Sequence, residues 1–147
     1  MPADPFDLQR FLTAQDPVWD EVCAELRAGR KRSHWMWFVF PQLATLGRSA
    51  MARHYGLSGL DEAKAYLAHP LLGERLRACC HLLMQVQGAT AVGIFGETDA
   101  MKLRSCLTLF MAAGPQEPLW GECLQRYFGG AEDPLTIAQL QAGGGGR

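Results

Sequence analysis

Three short segments hold the residue types that could do chemistry. The first is Ser33-His34-Trp35-Met36-Trp37-Phe38-Val39-Phe40-Pro41-Gln42, which follows the basic run Arg30-Lys31-Arg32. Histidine is the side chain whose charge changes near neutral pH, so His34 could serve as general base or acid. The indoles of Trp35 and Trp37 offer flat faces, each with an N–H handle, for a ring or a sugar, and the Gln42 amide both donates and accepts. Packing is the competing account, because aromatic runs in small helical domains usually belong to the core. His34 and Gln42 are harder to explain by packing alone.

The second segment runs from Phe95 to Phe110 (FGETDAMKLRSCLTLF). On a helix beginning near Asp99, the polar residues Lys102, Ser105 and Thr108 step three apart along a slanting line and could face one cleft. Lys102 would supply a point charge for a phosphate or carboxylate, with Ser105 or Thr108 donating hydrogen bonds. Alternatively, the lysine is solvated and the hydroxyls bond back to the preceding turn. The third segment, Ala65 to Leu76, carries His69 before Pro70. An imidazole at a helix C-terminus is favoured when protonated, so His69 can be structural without any ligand.

Together these residues suggest a site for a small anionic, nucleotide-derived molecule. His34, Lys102 and Ser105 form the hydrolase-type catalytic set. Trp35, Trp37, Gln42, Tyr55, His69 and Thr108 are the ligand-binding candidates. The alternative is a non-catalytic module whose aromatic segment docks a protein or single-stranded nucleic acid, with Arg30, Lys31 and Arg32 as its charged rim.

Other chemistries find no motif. No P-loop, GxGxxG, HExxH or GxSxG pattern occurs, and Cys23, Cys79, Cys80, Cys106 and Cys123 form no CxxC pair. Cys79, Cys80 and His81 are consecutive, so on a helix they point about 100° apart and cannot easily converge on one ion. Neither metal nor cofactor is expected. A formal charge of −1 gives no long-range field for coating nucleic acid or an anionic membrane. The N-terminal segment lacks an apolar signal region, and the run Trp35 to Phe40 is too short to cross a bilayer, so a cytoplasmic location is expected.

The elements that must position these residues read as helices. Asp4-Pro5 and Asp16-Pro17 are start signals, the first helix ending near Gln15 and the second at Gly29. The aromatic run has no period and is assigned a short helix because its neighbours are helical. Ser49 can cap a segment through Tyr55, and Ser58 a helix ended by His69-Pro70. Further helices are expected from Leu71 to about Gln87, Thr98 or Asp99 to Ala113, from Pro118 onward, and from Asp133-Pro134 through Leu140, with a short segment from Thr90 to Phe95 between the first two. With 48% hydrophobic and 20% charged residues, neither disorder nor a fibrous architecture fits. The expectation is one all-α domain over residues 1–142, a compact irregular bundle of about six to eight short and medium helices. Residues 143–147 would form a disordered Gly-rich tail.

Five stretches also carry a resemblance: Lys31–Gln42 (KRSHWMWFVFPQ), Gly47–Tyr55 (GRSAMARHY), Glu62–Leu76 (EAKAYLAHPLLGERL), Ile94–Phe110 (IFGETDAMKLRSCLTLF) and Tyr127–Ile137 (YFGGAEDPLTI). In these the chain resembles the uncharacterised family catalogued as domain of unknown function 1810, which includes mycobacterial members. The resemblance spans nearly the whole chain. It implies a compact, mainly helical fold and no particular activity. Cys106 departs from the family, which more often has a second serine there, and this leaves Ser105 as the available hydroxyl.

Overall fold

The computed structural model describes residues 3–144, with side chains through residue 142. Helix α1 (Gln9–Gln15) starts later than its sequence signal. The Asp4 carboxylate does act as a cap, accepting from the Leu8 and Gln9 N–H groups at 2.7 and 3.0 Å. The intervening residues form a turn, with Asp7 at φ 53°, so Pro5 precedes the helix instead of occupying its first position. Asp16-Pro17 opens a single 3-10 turn, after which α2 (Trp19–Ala28) runs to Gly29. Gly29, at φ 70°, donates back to the Glu25 and Leu26 carbonyls, the left-handed ending that favours glycine.

The aromatic run is one helical turn, α3 (Met36–Val39), enclosed on nearly every side. Trp35, Met36, Phe38, Val39 and Phe40 are all core, which is why the run shows no amphipathic period. A loop closed on itself follows. Leu43 and Leu57 pair as an isolated bridge, Ala44 donating to the Leu57 carbonyl at 2.8 Å and Leu57 to the Gln42 carbonyl at 2.9 Å. Between them lies α4 (Ala50–His54), capped as expected by Ser49 Oγ, which accepts from the Ala52 N–H. The loop is tight at Gly56, where a Cβ would sit 2.3 Å from Ala44 Cα.

Helix α5 (Leu60–Ala68) is capped in the direction opposite to that expected. Its N-cap is Gly59, and the Ser58 N–H donates to Oε1 of Glu62 at 2.8 Å. Helix α6 (Leu72–Gln85) follows after the His69-Pro70 corner, and α7 (Ala91–Phe95) is capped by Thr90. Helix α8 (Glu97–Ala113) starts directly after Gly96, ahead of the expected Thr98 or Asp99 cap. Its Ser105–Phe110 stretch is buried on every side because α5, α7, α9 (Leu119–Phe128) and α10 (Pro134–Gly144) all pack on it. The last helix runs two residues into the expected Gly-rich tail, and the rest of that tail, 145–147, lies outside the described residues.

The fold is thus all-α and irregular, with α3, α4 and α7 single turns among longer helices and no strand among the described residues. No helix among them is long and apolar enough to cross a membrane.

Candidate functional site

A carboxylate that the sequence reading did not single out anchors the loop leading into the site. Glu25, on the inner face of α2, accepts from the Arg32 N–H (2.8 Å), the Ser33 N–H (3.1 Å) and Trp35 Nε1 (2.9 Å), and from Ser33 Oγ. Burial pushes its pKa up, but these four hydrogen bonds to the charged form outweigh burial and hold it down to about 2. The sequence signal was present: Glu25 sits three residues after Val22 and beside Leu26, on the apolar stripe of its helix.

Glu25 therefore fixes the loop that precedes the aromatic run. Lys31, on that loop, donates to the Ser33 carbonyl and pairs with Asp99 at 2.9 Å. Asp99 lies in the first turn of α8, and Lys102, one turn on, approaches the same carboxylate at 3.6 Å. The Lys102 ammonium also stands 5.3 Å from the centre of the Trp37 ring, a cation–π contact. Trp37, Gln42 and Lys102 share the lining of one hollow with Met36, Phe40, Ala52 and Gly56. At about 10 Å³ that hollow has room for one water molecule at most.

The other expected site residues are placed elsewhere. Trp35 is 1% exposed, packed against Phe40 and Phe95 with its N–H given to Glu25, so it has no open face for stacking. His34 is exposed and is not among the residues lining the hollow. Tyr55 is half-buried against Phe11 and Phe38.

Ser105 and Thr108 belong to a socket for Asp133. Ser105 Oγ donates to the Met101 carbonyl (3.1 Å) and to Asp133 Oδ2 (3.0 Å), and Thr108 Oγ1 accepts from the Asp133 N–H at 2.9 Å while donating to the Arg104 carbonyl. Asp133 in turn accepts from the N–H and hydroxyl of Thr136, so the cluster starts α10 and ties it to α8. The two hydroxyls thus point along their shared helix toward a helix start, not toward Lys102's ligand face. His69 also differs from its expected role. Its Nδ1 accepts from the Leu71 and Leu72 N–H groups, both at 3.2 Å. An accepting Nδ1 carries no proton, so this imidazole caps the start of α6 instead of answering the C-terminal dipole of α5.

A second network was also missed. The Arg10 guanidinium donates to the His54 carbonyl (2.9 Å), the Phe6 and Asp7 carbonyls (2.6 and 2.9 Å), the Gly56 carbonyl (3.0 Å) and Glu62 Oε2 (2.9 Å). It fastens α1 and α5 to the loop that covers the hollow. The buried thiols offer no nucleophile: burial pushes Cys79 and Cys106 up from the ordinary thiol range. Among the described residues no three His, Cys, Asp or Glu side chains are grouped to hold a metal ion.

Comparison with known proteins agrees with this picture of an unassigned helical domain. A family model described as "Protein of unknown function (DUF1810)" matches residues 5–140. The crystal structure of a conserved hypothetical protein from Mycobacterium tuberculosis superposes with a TM-score of 0.92 at 55% sequence identity, covering 93% of this chain and 98% of that one. No curated protein matches.

Proposed function

The chain belongs to the DUF1810 family of proteins of unknown function, and we propose that this member binds a small anionic ligand with a planar or sugar-like part at the Trp37–Gln42–Lys102 corner. One observation carries the reading. Lys31 and Lys102 share a single carboxylate, Asp99, at 2.9 and 3.6 Å, which leaves one positive charge uncompensated beside the face of an indole. A phosphate-type anion supplies the missing charge, and the indole stacks the rest of the ligand.

Lys102 covers Trp37 in the resting state, and only a water fits beneath. A lysine stem is flexible and its head is a point charge, so it can swing off the ring to meet an anion and expose the indole. Gln42 then lies within the same lining to fix orientation. Neither His34, which lies outside that lining, nor the Ser105 hydroxyl is needed. The enclosure of Trp35 and the half-covered Trp37 favour a small molecule over a docked nucleic-acid strand, whose bases require open stacking platforms.

The test is tryptophan fluorescence during titration with inorganic pyrophosphate and with ADP. Saturable quenching is expected, abolished in W37F and weakened about tenfold in K102M, the loss of one charge-assisted contact. Quenching that persists unchanged in K102M, or no saturable response to either probe, overturns the proposal.

A further inference from the structure

A larger cleft lies away from that corner, where the N-terminal turn, the base of the 43–57 loop, the start of α5 and the middle of α10 meet. Its volume is about 660 Å³, within the range of small-molecule sites, whereas the hollow at Trp37 is far below it. Phe6, Leu43, Leu60 and Leu140 give it apolar walls. The exposed polar groups of its lining are the Thr45 and Ser58 hydroxyls, the Asp61 carboxylate and the Gln139 amide.

The charges there are unequal. Glu62, in the same lining, is buried and already neutralised by Arg10 at 2.9 Å, and all five Arg10 N–H donors are engaged. Asp61 makes no ion pair among the described residues, and Lys64, one turn further along α5, stays outside ion-pair distance. The cleft therefore presents apolar walls and one uncompensated negative charge, with no free cation among its lining residues.

From this we infer that the cleft is a second ligand site, for an organic cation: an ammonium carried on an apolar body. The ammonium pairs with Asp61, the Ser58 and Thr45 hydroxyls accept its remaining N–H groups, and the apolar body fills the space between Phe6, Leu43 and Leu140. An ammonium has three donors, and these three side chains provide three acceptors. The site is independent of the anion site and has the opposite charge preference.

Phenethylamine, phenethyl alcohol and phenylacetate share one ring and differ in the polar head, which makes them suitable probes. Each is titrated into isotopically labelled full-length protein while the backbone amide signals of Thr45, Ser58, Gly59 and Leu60 are followed. Saturable shifts are expected with the amine only. In D61N the amine should bind about tenfold more weakly, the loss of one charge-assisted contact. Because Asp61 is exposed, the melting temperature of D61N reports directly on whether its fold is kept. Equal shifts with the alcohol or the carboxylate, undiminished amine binding in a folded D61N, or no saturable shift with the amine overturns the inference.

Discussion

The indole N–H of Trp35 donates to Oε1 of Glu25 at 2.9 Å, which joins an enclosed ring of the aromatic run to the carboxylate that organises the loop before it. The same carboxylate is held down to about 2 from an ordinary 4.5. A carboxylate depressed by folding contributes stability that is complete above about pH 4.5 and is lost as pH falls through about 2. E25Q should therefore cost about 2 kcal/mol at neutral pH. The gap from the native protein should close on approach to pH 2. Urea unfolding followed by tryptophan fluorescence at several pH values measures both, and a gap independent of pH contradicts the assignment.

Arg10 spends its five N–H donors on four carbonyls and Glu62. Lysine has three donors on a single centre and cannot span those positions. R10K is expected to lose about 3 kcal/mol, as when one partner of a buried pair is removed. A double-mutant cycle with E62Q should give a coupling of about 1–3 kcal/mol. Additive losses would mean that the two residues act separately.

Ser105 is expected to be structural. S105A removes one hydrogen bond to Asp133 and should cost about 1 kcal/mol. D133A loses the cap of α10 together with the Ser105 bond, while its backbone N–H can still donate to Thr108, and should cost about twice that. Pyrophosphate quenching in S105A should match that of the native protein. A loss of binding without a loss of stability would return Ser105 to the site.

His69 should behave as a cap. H69A is expected to lower stability by about 1 kcal/mol, which for a domain of this size is about 2–4 °C in melting temperature. H69N should recover most of that, because asparagine offers an acceptor of similar reach. If H69A and H69N are equally impaired, the Nδ1 bonds are not what the residue contributes.

Much of the architecture was legible before any coordinates. Asp4, Ser49 and Gly29 all mark helix ends because capping is local chemistry, decided by groups within about four residues of each other. Errors of a few residues at α1 and α8 arose where a turn at Asp7 or a glycine at 96 offered a better start than the nearest capping side chain. At the candidate site, Trp37, Gln42 and Lys102 do share one lining. Ser105, Thr108 and His69 were recognised as unusual polar residues, and each turned out to hold a helix start.

The sequence by itself determined the helices, their approximate ends and the positions of the few polar groups set among apolar ones, since these follow from periodicity and from contacts between near neighbours. Only the tertiary structure decided what those polar groups meet. A hydroxyl on a helix bonds equally well to a ligand or to the next helix start, and Asp133, 28 residues after Ser105, took that position. Likewise, Glu25 and Arg10 found partners on other elements once burial took most of the water from their charges, and a buried charge must be paired wherever the fold brings a partner within reach.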